Sequence, residues 1–119
     1  MPNARKTPLL RGKLWVEING AAAMTEASAD LLEQIAACGS LSEAARRLRF
    51  SYRRAWMLID AMNTRWGSPL VTTATGGKRG GGTQITERGQ IALRSYRELQ
   101  LRLEHLLGEE AEAFAKATG

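Results

Sequence analysis

Apolar and polar positions change period several times along this chain, and each change marks an element. Leu14-Trp15-Val16-Glu17-Ile18 alternates with period two and stops at Asn19-Gly20, which predicts a short strand closed by a turn, at an edge or in the sheet of a wing. From Thr25 the apolar residues Ala27, Leu31, Leu32, Ile35 and Ala36 recur at helical spacing, with Thr25 or Ser28 as N-cap and Gly39 as a left-handed stop. A second, shorter helix is expected through Ala44, Ala45 and Leu48 to Phe50, capped by Ser42. A third runs from Ser51 to Trp66. Wound at ~3.6 residues per turn, it gathers Ala55, Leu58, Ile59, Met62 and Trp66 on a core side. Arg53, Met57 and Thr64 fall opposite, with Arg54 and Trp56 on the flanks and Tyr52 near the start.

After Gly67-Ser68-Pro69 the period returns to that of strands. Leu70-Val71-Thr72-Thr73 and Gln84-Ile85-Thr86 flank a loop, Thr75-Gly76-Gly77-Lys78-Arg79-Gly80-Gly81-Gly82, so the segment reads as a hairpin wing. Thr86-Glu87 then opens a long helix in which Ala92, Tyr96, Leu99, Leu103 and Leu106 are spaced four, three, four, three, a seam suited to pairing with a second copy. Gly108-Glu109-Glu110 is expected to interrupt it. The fold class is therefore mainly α with a small β-wing: a winged helix-turn-helix plus a long C-terminal dimerisation helix. The organisation expected is a flexible basic tail over residues 1–13, the DNA-binding domain with its dimer helix over 14–107, and an acidic end over 108–119.

The 119 residues fit one domain. A formal net charge of +5 and a pI near 10.0 favour a polyanionic partner. The distribution sharpens this: twelve Lys and Arg lie between Arg46 and Arg102 against Asp60, Glu87 and Glu98 alone, while the remainder is net acidic. Five of the arginines (Arg46, Arg47, Arg49, Arg53, Arg54) crowd around the junction of the second and third helices, as in the footprint of a nucleic-acid-binding surface. A first exposed turn carrying Tyr52, Arg53 and Arg54 can reach base edges and phosphates in a major groove, where arginine bonds two acceptors of guanine, and Met57 can meet a thymine methyl. Glycines around Lys78 and Arg79 let backbone amides approach phosphates closely. A nucleotide P-loop does not fit, because Gly77-Lys78 is followed by Arg79 and three glycines instead of Ser or Thr leading into a helix. The basic tail also offers an arm for phosphates.

Cys38 is the single cysteine, which excludes an intramolecular disulfide framework and a cysteine-rich zinc site and suits a reducing cytoplasm. No metal site, signal peptide or membrane span is expected. His105 has Glu104 and Glu109 nearby but no nucleophile at a spacing that suggests activation, so no catalytic residues and no enzyme activity are expected.

Ser51-Tyr52-Arg53-Arg54-Ala55-Trp56, with Asp60-Ala61-Met62-Asn63 behind it and the Thr75–Gly82 loop after it, closely resembles the N-terminal DNA-binding domain of the molybdate-responsive ModE regulators, over about Leu31 to Leu107. Similarity to LysR-type winged helices is broader. The resemblance implies a homodimer on palindromic double-stranded DNA, and roles for Ser51, Tyr52, Arg53, Lys78 and the wing glycines. Together the expected DNA-binding set is Ser42, Arg46, Arg47, Ser51, Tyr52, Arg53, Arg54, Met57, Thr75, Lys78, Arg79 and Gly80. The expected dimer set is Ala92, Tyr96, Leu99, Leu103 and Leu106. Arg54 and Arg79 stand where the family pattern has smaller residues. No cofactor is expected: the resemblance would admit molybdate or tungstate, but the family's oxyanion-binding domains are absent from these 119 residues, and the regulator is expected to act alone or with a separate effector protein. The rival function is a winged-helix protein-interaction module within a larger complex, against which the arginine cluster and basic wing speak.

Overall fold

A computed structural model describes residues 7–74 and 82–119. Strands β1 (Val16–Ile18) and β2 (Ala21–Met24) form an antiparallel hairpin, followed by helices α1 (Glu26–Cys38), α2 (Leu41–Leu48) and α3 (Tyr52–Trp66), strands β3 (Val71–Thr73) and β4 (Thr83–Ile85), and the long α4 (Glu87–Thr118). The chain forms two compact units, Trp15–Arg97 and a second made of Glu98–Gly119 with the described part of Met1–Leu14.

The β1–β2 turn takes positive φ at both Asn19 (54°) and Gly20 (80°), the conformation that matches the twist of a tight hairpin. Its strands form a sheet of their own, so β1 is not part of the wing. The return strand Ala21–Met24 escaped the sequence reading because three consecutive alanines carry little strand signal. Tertiary packing decides there: Ala23 and Met24 are buried, and β2 lies on α3 and α1.

Local signals set the helix boundaries. Thr25 and Ser28 share a capping box at the start of α1, and Gly39 ends it at φ 69° with its amide donating to the Ile35 carbonyl. The cap of α2 is Ser40 and not Ser42: Ser40 Oγ accepts from the Glu43 amide at 3.1 Å, leaving Ser42 exposed in the first turn with its hydroxyl 3.2 Å from Ser40 Oγ. The helix closes on Arg49, a non-glycine residue in the left-handed region. Ser51 caps α3, accepting from the Arg54 amide at 3.0 Å, and Gly67 ends it. The core of this unit is Ala29, Leu31, Leu32, Ile35, Leu41, Ala44, Ala55, Ile59, Met62 and Leu70, all nearly inaccessible. Each large member contributes roughly 1.5–3 kcal/mol by leaving water.

Register in the wing pairs Val71 with Ile85, Thr72 with Gln84 and Thr73 with Thr83, and the Ala74 amide extends the ladder to the Gly82 carbonyl at 2.8 Å. Its base is held from two sides. Asn63 of α3 accepts from the amides of Leu70 and Val71 (2.8 and 3.2 Å) and donates to the Val71 carbonyl (3.0 Å). Thr86 donates its amide to the Leu70 carbonyl and its hydroxyl to the Pro69 carbonyl (2.8 Å), while Thr86 Oγ accepts from the Gly89 amide, capping α4. Gly89 is buried against this junction, where any Cβ would overlap the Leu70 carbonyl oxygen and stand 2.8 Å from Ile85 Cγ1.

Helix α4 continues through Gly108, so the interruption expected there is one of the apolar seam and not of the helix. One glycine costs ~1 kcal/mol in a helix, a penalty that good helix formers on both sides offset. The described part of the segment read as a flexible tail has no regular secondary structure, and Gly12 lies against the side chains of Leu107 and Leu103 of α4, within the same unit. In the other unit, Arg97 of α4 reaches Asp30 (2.7 Å) and Glu33 (2.7 and 3.1 Å) of α1. Hydrogen bonding to Glu33, and then to Asp30, raises the Arg97 pKa against the opposing effect of burial.

Replacing Gly89 with Ala tests the close approach of α4 to β3. Helix propensity alone would favour alanine by ~1 kcal/mol. Overlap with a carbonyl outweighs that, so thermal unfolding of Gly89→Ala should show a net destabilisation of about 1–3 kcal/mol; an unchanged or raised melting temperature would refute the contact.

Candidate nucleic-acid interface

Helix α3 turns its sequence pattern into two chemically distinct faces. Ala55, Ile59 and Met62 are buried, whereas Tyr52 (55% exposed), Arg53, Arg54, Trp56 (39%) and Met57 (61%) are open to solvent around its first two turns. An exposed methionine and two exposed aromatic rings beside arginines are costly to leave in water, and fit apolar contact as well as charge. Tyr52 and Trp56 meet edge to face, with ring centroids 6.2 Å apart and planes at 82°. Trp56, expected on a flank of the helix, is therefore a neighbour of Tyr52 on the open face; the spacing of four between two aromatic residues is the signal that could have revealed their contact.

The arginines differ in what holds them. Arg54 places its guanidinium carbon 4.1 Å from the centroid of the Phe50 ring, a cation–π arrangement that sequence reasoning missed. Arg46 and Arg47 of α2 both reach Glu43. Arg46 donates from Nε to Oε1 (3.0 Å) and from NH2 to Oε2 (2.6 Å), while Arg47 Nε donates to Oε2 (3.2 Å) and its NH1 to Gln34 Oε1 (3.2 Å). Hydrogen bonds from Arg46 and then Arg47 pull the Glu43 carboxyl down to about 2. In return, Glu43 raises the Arg46 pKa.

Ser51 spends its acceptor on capping α3. Ser42, displaced from the cap position, is an exposed hydroxyl on α2. Thr75, Lys78, Arg79 and Gly80 lie outside the described residues.

The expected dimer seam divides. Ala92 and Tyr96 are buried, 9% and 1% exposed, so they serve the protein's own core and do not form part of a surface for a partner. Burial, then the Glu26 carboxylate of α1, raises the Tyr96 pKa. A period of four and three does not distinguish packing on α1 from packing on a second copy, so the sequence alone presents the seam as one surface. Leu99 (47%) and Leu106 (50%) are exposed, and Leu103 is half-buried beside Gly12. His105 Nε2 lies 3.2 Å from Glu109 Oε2 one turn on, with both side chains exposed. Among the described residues no group of three or more His, Cys, Asp or Glu is placed to hold a metal ion, and no helix is long and apolar enough to cross a membrane.

Three helices closed over one core, an exposed third helix and a hairpin tied to its end define a winged helix-turn-helix. Residues 28–90, which take in most of α1, all of α2 and α3, and the wing, match the model of the bacterial regulatory helix-turn-helix proteins of the lysR family, and the chain belongs to that family. It is also similar to the molybdenum transport protein ModE of Azotobacter vinelandii, with 37% identity over 97 residues, 82% of this chain and 36% of the relative. Transcriptional regulator ModE of Haemophilus influenzae is 41% identical over 75 residues, 63% of this chain and 29% of its own length. For the DNA-binding transcriptional dual regulator ModE of Escherichia coli K12 the identity is 44% over 66 residues, 56% and 25% of the two chains. The chain thus spans about a third or less of the length of these curated relatives.

The Glu43 contacts carry a pH prediction. A carboxyl whose folded pKa is depressed contributes stability above its ordinary value of 4.5, and that contribution is lost as pH falls toward 2. Because the group is exposed, the effect on stability is small. Carboxyl-detected NMR should find Glu43 still ionised at pH 3; a midpoint near 4.5 would show that the arginines do not hold it in solution.

Proposed function

We propose that this chain is a sequence-specific DNA-binding transcriptional regulator of the ModE type, acting on duplex DNA in the cytoplasm. The first turns of α3 enter the major groove, α2 crosses the backbone and the wing lies along it, the docking that a helix-turn-helix permits. One observation carries this: the exposed start of α3 presents Tyr52, Arg53 and Met57 together while its opposite side is locked into the core, so base-reading groups stand on a rigid element. Ser42, Arg46, Arg47, Ser51 and Arg54 are assigned to phosphates with Thr75, Lys78, Arg79 and Gly80 of the wing. The matches with ModE relatives support a link to molybdenum-related genes. A homodimer is proposed through the exposed part of the α4 seam, Leu99 and Leu106 with Leu103 at its margin; two half-sites would then be about one helical turn, ~34 Å, apart.

Selection from random DNA would supply an operator on which these assignments are tested. Arg53→Ala should cost on the order of 1–3 kcal/mol on that operator and relax preference at one base pair. Equal loss on every duplex would make Arg53 a phosphate contact. Lys78→Ala should weaken operator and random DNA alike and flatten the salt dependence by about one counterion. DNA binding is excluded if the purified chain shows no salt-sensitive affinity for any double-stranded oligonucleotide. Sedimentation should give a dimer at micromolar concentration, and a monomer there would remove the paired half-sites.

A further inference from the structure

Helix α2 offers two cations to a polyanion, yet both are already engaged by one anion of the same helix. Glu43 lies one turn before Arg46 and Arg47, and its two oxygens take the Nε and NH2 edge of Arg46 and the Nε of Arg47. The Arg46 contact is the two-point fork that guanidinium groups also make to phosphate, so carboxylate and phosphate compete for the same N–H groups. Gln34 holds Arg47 from its other side. Among the described residues no carboxylate engages Arg53 or Arg54, and Arg54 instead lies over Phe50. The side chains are solvent-accessible, 73% for Arg46, 43% for Arg47 and 34% for Glu43, so a phosphate can reach all three.

We propose that Glu43 is an internal phosphate mimic: it occupies the phosphate-binding edges of Arg46 and Arg47 and so limits the sequence-independent affinity of α2 for DNA. This rests on the DNA-binding function proposed above. A backbone phosphate arriving at α2 must displace the carboxylate or bind beside it. Either way, part of the attraction from two arginines is cancelled on every sequence, because phosphates carry no sequence information. Base reading by α3 then accounts for a larger share of total affinity. The low pKa of Glu43 keeps the mimic charged at any physiological pH.

The test uses Glu43→Gln, which keeps the backbone amide that Ser40 caps and removes the charge. Binding of the full chain to a random-sequence duplex would be measured across salt concentrations, with circular dichroism to verify folding. Affinity at low salt should rise roughly three- to tenfold, and the slope of log K against log salt should steepen by about 0.9 for each arginine released to a phosphate. In a chain already carrying Arg46→Gln and Arg47→Gln, adding Glu43→Gln should produce neither gain. Unchanged or weaker binding by Glu43→Gln overturns the proposal and makes Glu43 an orienting group for the arginines. So does a gain that survives loss of both arginines, which would be a general effect of net charge. If the unsubstituted chain binds no duplex at all, the DNA-binding function itself fails; binding by the unsubstituted chain with no gain on substitution overturns the mimic alone.

Discussion

The peptide groups around Leu70 hold the architecture together. Leu70 has no accessible surface, its amide donates to Asn63 of α3, and its carbonyl accepts from the amide of Thr86, whose hydroxyl caps α4. A buried backbone group without a partner would cost ~1–3 kcal/mol, so each of these bonds is obligatory once Leu70 is drawn into the core. Through this one residue the end of α3, the base of the wing and the start of α4 are fixed to each other. Gly89 is the complement of the same constraint, because the close approach that makes the Leu70–Thr86 bond leaves no volume for a side chain in the first turn of α4.

From that junction the order of causes runs toward the candidate interface. The core residues Ala55, Ile59 and Met62 fix the rotation of α3, and the Ser51 cap fixes where it begins. Rotation and start together determine that Tyr52, Arg53, Trp56 and Met57 face outward. The edge-to-face pair of Tyr52 and Trp56 and the ring under Arg54 narrow the rotamers of those side chains, which lowers the entropy lost when they bind.

Much of this was legible in the residues, for reasons of period and punctuation. Serine, threonine and glycine mark the ends of α1 and α3 because their side-chain oxygens or permissive φ meet a local need, and no distant contact competes. The misplaced cap at Ser42 shows the limit: Ser40 and Ser42 have the same chemistry, and packing of Leu41 into the core decides between them. The strand Ala21–Met24 is likewise set by α3 and α1, not by its own propensity. At the interface, sequence located the arginines but not their partners. Glu43, Phe50 and Gln34 are ordinary residues whose significance comes only from which guanidinium they touch. The α4 seam was visible as a stripe, and its division between the protein's own core and an open surface was not, since one helical face can serve both.

One further bond ties the helix-turn-helix to the wing. The carbonyl of Gly39, in the left-handed turn between α1 and α2, accepts from the amide of Thr83 in the return strand at 3.0 Å. The loop end of the β3–β4 ladder, where Thr83 pairs with Thr73, is thereby indexed to the corner where the first helix hands over to the second. On a duplex, the protein would act as a ruler of fixed gauge, and a groove of the wrong width would have to be bent or compressed to fit it. The stiffness of base steps that no side chain touches would then enter the choice of site.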